Sequence, residues 1–284
     1  MLKDLHAITA IEEHDDVLFK RDDLLQPYDD SPVNGGKLRQ CHFLLENAYD
    51  KIVKEHGSTV ATASSVHSPQ GAIVTRVARS FGLKTIVAIG GNDRSLEHST
   101  VKWCKHYGAD VRVLSKLGYT SVLNARLSLL RENPFIVHFG MNAQRDFNAI
   151  VRSTAAQCEN IPRDVDNIVF AVGSGVTMAG ALVGLQLFDI KPKRTIGVQI
   201  AAVDRTRRIS ELSNAFDWEY ELHLDKTFPY SREIYHCTAD FAVALDPIYE
   251  AKAFLFMRKN LDLKGRTLFW IVGNSAPLHV DPPL

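Results

Sequence analysis

The sequence predicts an α/β protein whose parallel-rich, twisted sheets are covered by helices on both faces. Strand-like and helix-like patterns alternate through most of the 284 residues, which is typical of repeated strand–helix–strand units. A glycine-rich segment from Gly173 to Gly180 joins an apolar strand-like run to an apolar helix-like run. Such turns mark the ligand-binding edge of parallel sheets.

The individual elements follow from local periodicity and from the residues that end each run. In the first half, strands are predicted at 16–19, 59–62, 85–89, 111–114 and 135–138, and helices at 38–55, 70–81, near 95–107 and near 120–132. In the second half, strands are predicted at 167–172 and 195–200, with a helix at 179–188 between them. Residues 45–150 therefore form a small α/β domain, whereas 1–44 and 151–284 form a larger one, in which the first strand pairs with the later half.

One uncharged run, 168–188, is long enough to span a bilayer. Its glycines and polar residues, and the turn predicted in its middle, favour a buried strand followed by a buried helix. The mean hydropathy of the chain, −0.09, is also ordinary for a globular protein. The sequence therefore predicts no membrane association.

Composition excludes several function classes. The chain carries 33 basic and 33 acidic residues, so it has no basic surplus for binding nucleic acid. Its four cysteines stand singly, which predicts reduced thiols and no metal site. The amino terminus has no apolar stretch of signal-peptide length, and we therefore expect a cytoplasmic protein.

The glycine-rich segment predicts a phosphate site, because a turn that opens a helix directs backbone N–H groups and the positive end of the helix dipole at one point. The residues predicted to contact the phosphate are Gly173, Ser174, Gly175, Val176 and Thr177. No acidic residue follows the next strand, and no Gly-Lys-Ser/Thr ending is present. A dinucleotide and a nucleoside triphosphate are therefore disfavoured.

Four segments, in order along the chain, carry a family resemblance. They are Lys20-Arg-Asp-Asp-Leu24, Gly35-Gly-Lys37-Leu-Arg39, Val172-Gly-Ser-Gly-Val-Thr-Met-Ala-Gly180 and Leu245-Asp-Pro-Ile-Tyr-Glu-Ala-Lys252. Together they resemble the fold-type II pyridoxal-phosphate enzymes, which share a two-domain, tryptophan synthase β-like fold. The resemblance is strongest to the aminocyclopropane-carboxylate deaminase and D-cysteine desulfhydrase family.

The resemblance implies a cofactor, pyridoxal 5'-phosphate, and a homodimer. It assigns Lys37 as the catalytic Schiff-base lysine, whose amine must lose its proton to react although free lysine has a pKa of about 10.4. It places Glu250 at the pyridine nitrogen, where a carboxylate strengthens the ring as an electron sink. Tyr249 is similar to the family's active-site tyrosine, and either Tyr230 or Tyr235 corresponds to its second one.

The segment between the second predicted strand and its helix resembles the family's substrate loop. It offers hydroxyl and N–H groups for the substrate carboxylate, and we expect four contacts, of which Ser68 is also a candidate catalytic residue. The expected substrate-binding residues are Ser65, His67, Ser68 and Gln70. In one alignment Pro69 stands where the family has the asparagine that contacts the ring hydroxyl of the cofactor; in an alignment shifted by two residues His67 stands there, so the asparagine is missing in both.

The sequence thus predicts a pyridoxal-phosphate-dependent lyase or deaminase that acts through a Schiff base on the amino group of a small amino acid. One alternative is an enzyme of the same kind acting on an amino acid attached to a modified nucleobase or another carrier, for example by decarboxylation or elimination. Under that alternative, nucleic acid would be a partner only as the molecule to which the substrate is attached. A second alternative is a non-catalytic sensor of the cofactor or of an amino acid.

Overall fold

A computed structural model describes residues 4–141, 147–200, 205–213, 219–235 and 243–283. The chain folds into two compact units. The first unit contains Met1–Pro27, Asn34–Gly36 and Val151–Asn274, and the second contains Tyr28–Val33, Lys37–Ile150 and Ser275–Leu284. This division differs from the predicted boundary at residue 45, because the first helix is uninterrupted and falls almost wholly in the second unit.

The described elements alternate as predicted. The strands are β1 (Ile11–His14), β2 (Val17–Arg21), β3 (Thr59–Ala63), β4 (Lys84–Gly90), β5 (Asp110–Ser115), β6 (Phe135–Val137), β7 (Asn167–Val172), β8 (Arg194–Gln199), β9 (Glu221–Leu224) and β10 (Thr267–Ile271). The helices are α1 (Gly36–Glu55), α2 (Gln70–Ser80), α3 (Ser99–His106), α4 (Thr120–Leu127), α5 (Phe147–Ala155), α6 (Val176–Leu187), α7 (Thr206–Ser213) and α8 (Glu250–Asn260).

The first unit is built on a six-stranded sheet in the order β1-β2-β10-β7-β8-β9. All its strand pairs are parallel except β1 with β2, and the predicted pairing of the amino-terminal strand with the later half is confirmed by the β2–β10 ladder. Helix α8 packs on this sheet through Phe254, whose ring lies 5.7 Å from that of Phe19 and 5.2 Å from that of Phe269. These contacts fix α8, which begins at Glu250.

The second unit contains a parallel four-stranded sheet in the order β5-β4-β3-β6. Alanine and isoleucine side chains of β3 and β4 pack against Leu123 and Leu127 of α4, and all of these residues are buried. The alternation of strands and helices makes every connection a crossover, so the loops after the strands open at one edge of the sheet. The loop between β3 and α2 is the one predicted to bind substrate.

The uncharged run 168–188 consists of β7, the glycine turn and α6. Helix α6 begins at Val176, earlier than the predicted start at Ala179, because Gly175 takes the backbone directly from the turn into the helix. Within the described ranges, no helix is both long enough and apolar enough to cross a membrane.

Candidate functional site

The glycine turn after β7 has the geometry of an anion site. Gly175 precedes the first residue of α6 with φ +85°, a left-handed conformation that glycine adopts without strain. A Cβ atom at this position would lie 2.8 Å from Cγ1 of Ile209, so a larger residue would disturb α7. The first N–H groups of a helix have no intrahelical acceptor, and they carry its positive partial charge. The turn can therefore bind a phosphate group.

Tyr249 packs directly on this turn. A Cβ atom on Gly173 would lie 2.9 Å from Cε1 of Tyr249, so the absence of a side chain at Gly173 allows the ring to approach. The hydroxyl oxygen of Tyr249 lies 2.7 Å from that of Tyr230. Burial, and next the neighbouring Tyr230, raise the pKa of Tyr249 well above its ordinary value. Tyr249 therefore keeps its proton at neutral pH, and its hydroxyl can donate a hydrogen bond.

The structure distinguishes the two candidate partners of Tyr249. Tyr230 reaches the Tyr249 hydroxyl, whereas Tyr235 is 45% exposed. The Tyr230 segment is held by Lys252, whose Nζ donates to the carbonyl oxygens of Pro229 at 3.0 Å and Tyr230 at 2.8 Å. Burial lowers the pKa of Lys252 to about 8. By holding the backbone of Tyr230, Lys252 thus stabilises the contact between Tyr230 and Tyr249.

Glu250 is a buried carboxylate at the start of α8. Oδ1 of Asp246 accepts hydrogen bonds from the N–H groups of Ile248 and Tyr249, both at 2.8 Å, and thereby orders the turn that leads into the helix. Glu250 is 3% exposed, and its Oε1 accepts a hydrogen bond from the N–H of Val272 at 3.1 Å. Its carboxylate is therefore fixed just beyond the carboxyl end of β10.

The Gly35–Gly36 segment before Lys37 also contacts Val272, the residue that hydrogen-bonds to Glu250. The N–H of Gly36 donates to the carbonyl oxygen of Val272 at 2.7 Å. Gly35 has φ +92°, and a Cβ atom there would overlap that carbonyl oxygen, so only glycine fits. Lys37 is the second residue of α1, and its side chain is half-buried. The two glycines thus fix the backbone from which Lys37 extends.

The Lys20-Arg-Asp-Asp-Leu24 segment forms a buried polar network at the end of β2. Nζ of Lys20 donates to the carbonyl oxygen of Thr9 at 2.8 Å and to Oδ1 of Asn160 at 2.7 Å. Asp22 accepts from Oγ1 of Thr9 at 2.8 Å and from Nε1 of Trp270 at 3.0 Å. Because Lys20 and Asp22 are both fully buried and hydrogen-bonded, this part of the motif supports the fold of the first unit.

The predicted substrate loop lies in the second unit, between β3 and α2. Ser65 and Ser68 each accept a backbone hydrogen bond within the loop, from His67 at 3.2 Å and from Gln70 at 3.3 Å. Gln70 is fully buried; its amide nitrogen donates to Thr62 Oγ1 and its oxygen accepts from the N–H of Gly140. In this arrangement the Gln70 side chain orders the loop. Gln70 would therefore influence substrate binding through the position of the loop and not by direct contact.

Sequence reasoning missed one residue beside the glycine turn. Nε of Arg205, which directly precedes α7, donates to the carbonyl oxygen of Gly173 at 3.2 Å. No motif marks Arg205; the only signal is the short basic run that it begins, Arg205-Thr-Arg-Arg208.

Comparisons with known proteins identify relatives of this chain. The chain is 25% identical to a Pyrococcus furiosus protein provisionally named 1-aminocyclopropane-1-carboxylate deaminase, over 93% of this chain and 86% of that protein. It is 26% identical to the O-seryl-dTMP PLP-dependent decarboxylase of Salmonella phage ViI, over 62% of this chain and 45% of that protein. Its fold matches the crystal structure of an ACC deaminase homologue with a TM-score of 0.74 and 24% identity, over 90% of this chain and 84% of that one.

The sequence pattern of the family described as "Pyridoxal-phosphate dependent enzyme" matches residues 2–264. The residues present fit this cofactor, because the turn at Gly175 suits its phosphate and the buried carboxylate of Glu250 suits its pyridine nitrogen. Lys37 supplies an amine two residues after Gly35, a position that only glycine fits. The chain belongs to the pyridoxal-phosphate dependent enzyme family, and its cofactor is pyridoxal 5'-phosphate.

Proposed function

We propose that the chain is a lyase or deaminase that acts on the amino group of a small amino acid, with Lys37 holding the cofactor covalently. Bound pyridoxal phosphate supplies an electron sink for bonds at the α-carbon of an amino acid. The proposal places its phosphate on Gly173, Ser174, Gly175, Val176 and Thr177. The activities named for the relatives in P. furiosus and in the ACC deaminase homologue support this reaction class.

The observation that carries the proposal is the buried carboxylate of Glu250. A carboxylate that faces the pyridine nitrogen keeps that nitrogen protonated, which makes the ring a stronger acceptor of electrons. A serine or threonine at the pyridine nitrogen would make the ring a weaker electron sink, and such residues suit simple β-replacement reactions. Glu250 therefore favours reactions that need a strong electron sink for negative charge at the α-carbon, and we assign deaminase or lyase chemistry to it on that ground.

The remaining roles follow from the chemistry of the side chains. Lys37 would hold the cofactor, and its unprotonated amine would accept and return the α-proton of the substrate. Tyr249, which keeps its proton and bonds to Tyr230, donates to the leaving group or to the carbon that must be protonated. Ser65, His67 and Ser68 bind and orient the substrate carboxylate, and Ser68 is the second candidate for proton transfer.

The test is a screen of small amino acids in both enantiomers. We expect at least one to exchange its α-proton with solvent deuterium, or to release ammonia, sulfide or carbon dioxide, while the visible absorbance of the cofactor shifts. A protein that holds the cofactor but responds to none of these amino acids would contradict the small-substrate proposal.

A second candidate is favoured by one specific observation. The matched relative from Salmonella phage ViI is named as a decarboxylase of O-seryl-dTMP, an amino acid joined to a nucleotide. The loop proposed to bind substrate also lacks the family's asparagine, since either Pro69 or His67 stands in its place. Under this candidate, O-seryl-dTMP shifts the cofactor spectrum and releases carbon dioxide, whereas free serine does neither. The opposite pattern would reject it.

We also propose a homodimer that works in the reducing cytoplasm. Cys41, Cys104 and Cys158 are buried free thiols, and burial raises the pKa of each; Cys237 lies outside the described residues. Buried, protonated thiols are inert and suit a reducing compartment. Light scattering tests the assembly, and a monomer at micromolar concentration would contradict it.

A further inference from the structure

Arg205 lies beside the phosphate turn, at the start of α7. Its backbone N–H donates to Oε1 of Gln199 at 3.0 Å, and its Nε donates to the carbonyl oxygen of Gly173 at 3.2 Å. A Cβ atom on Gly175 would lie 3.7 Å from Cβ of Arg205. The backbone of Arg205 is therefore held at the end of β8, and its side chain is held against the turn.

Among the described residues, no acidic side chain balances the charge of Arg205. Its side chain is half-buried, and burial lowers its pKa, whereas the nearby Tyr249 opposes that shift. Across the described residues, no carboxylate forms an ion pair with Arg205. Arg207, two residues further on, behaves differently, because it is exposed and its Nε pairs with Glu211 at 2.6 Å. A partly buried cation without an anion is costly, so Arg205 has the character of a ligand-binding group.

We propose that Arg205 is a phosphate-binding residue that adds positive charge and N–H donors to the glycine turn. One N–H of its guanidinium bonds to Gly173, and the planar group has further donors with the geometry to bind a phosphate in two places. The inference rests on the proposed placement of a phosphate at residues 173–177. The phosphate monoester belongs either to the cofactor or to a nucleotide that carries the substrate.

The test compares Arg205→Gln with the matched control Arg207→Gln in the full-length protein. Equilibrium dialysis against pyridoxal phosphate, and separately against pyridoxal, measures the concentration that half-saturates each variant. We expect Arg205→Gln to raise this concentration about tenfold or more for pyridoxal phosphate, since a charge-assisted hydrogen bond is lost, and to leave pyridoxal unchanged. Arg207→Gln should match the wild type, and Arg205→Lys, which keeps the charge, should recover part of the affinity.

A second arm distinguishes the source of the phosphate. Calorimetry measures binding of thymidine 5'-monophosphate and of thymidine to protein saturated with pyridoxal phosphate. If Arg205→Gln loses affinity only for pyridoxal phosphate, Arg205 binds the phosphate of the cofactor. If it loses affinity only for thymidine 5'-monophosphate, Arg205 binds a second phosphate. Equal losses for the phosphorylated and unphosphorylated ligands, or no loss for either phosphate, would overturn the inference.

The same dialysis separates this inference from the proposed phosphate site. If Gly175→Asp retains pyridoxal phosphate, the placement of the phosphate at the turn is itself wrong. If Gly175→Asp loses pyridoxal phosphate while Arg205→Gln binds it and thymidine 5'-monophosphate like the wild type, the turn remains the phosphate site and only the role of Arg205 is rejected.

Discussion

Glu250 and Gly36 bond to opposite backbone groups of Val272: the carboxylate accepts its N–H at 3.1 Å, and the glycine donates to its carbonyl at 2.7 Å. One residue beyond the end of β10 thus fixes both a buried carboxylate and the turn that leads into Lys37. A shift of this backbone would move both groups together. The positions of Glu250 and of the turn before Lys37 therefore both depend on the backbone at the carboxyl end of β10.

Glu250→Gln should separate cofactor binding from catalysis. The amide oxygen can still accept from Val272, so we expect the cofactor to remain bound. Without a full negative charge at the pyridine nitrogen, α-proton exchange of an active amino acid should slow by about 100-fold or more. Absorbance reports cofactor occupancy, deuterium exchange reports the rate, and Glu46→Gln on the exposed side of α1 serves as the control. An unchanged exchange rate would remove Glu250 from the chemistry.

Gly175→Asp should release the cofactor. The substitution places a side chain 2.8 Å from Ile209 and a negative charge where the phosphate is proposed to bind. The matched control is Gly82→Asp, since Gly82 also has a positive φ, +69°, but a Cβ atom there meets nothing within 4 Å. Dialysed Gly175→Asp protein should be colourless and Gly82→Asp protein yellow. Equal occupancy in the two would place the phosphate elsewhere.

The glycine motif illustrates what sequence can predict and what it cannot. The sequence predicts β7, the turn and α6 because glycines interrupt an apolar run at the point where the backbone must turn from the strand into the helix. Arg205 could not be found in this way, because its contact with Gly173 joins positions 32 residues apart through the packing of α7.

The choice between Tyr230 and Tyr235 is a similar case. Both tyrosines stand in the same irregular segment, without periodicity that would orient either of them. The structure distinguishes them because the Tyr230 hydroxyl lies 2.7 Å from that of Tyr249, whereas Tyr235 is 45% exposed. Lys252 holds the Tyr230 segment by binding the carbonyl oxygen of Tyr230. The sequence reveals neither the target of this lysine nor its burial, since both depend on tertiary packing.

Lys252→Met should destabilise the first unit around the tyrosine pair. The change leaves the carbonyl oxygens of Pro229 and Tyr230 without their donor, at a cost of about 1 to 3 kcal/mol in the free energy of unfolding. Lys259→Met, at an exposed position of the same helix, is the control and should change stability little. Urea unfolding measures both. A Lys252 variant as stable as the control would show that this contact contributes nothing.

Tyr249 should make the protein less stable in alkali. Its pKa is raised in the folded state, so its contribution is complete below the ordinary tyrosine value of about 10 and declines as pH rises from there towards the folded pKa. Tyr249→Phe cannot ionise and should lose less stability between pH 9 and pH 11, two values chosen to lie about one unit either side of that ordinary pKa. Thermal unfolding at both pH values tests this, and parallel losses in wild type and variant would contradict it.

Reduction with borohydride tests the central claim most directly, because it fixes the cofactor to the lysine that holds it. Two lysines compete: Lys37, which follows the Gly35–Gly36 turn, and Lys252, whose pKa of about 8 makes its amine reactive. We predict a pyridoxyl label on the peptide containing Lys37, and no label there in Lys37→Ala. A label on Lys252, or no label on any peptide of cofactor-loaded wild-type protein, would contradict the account.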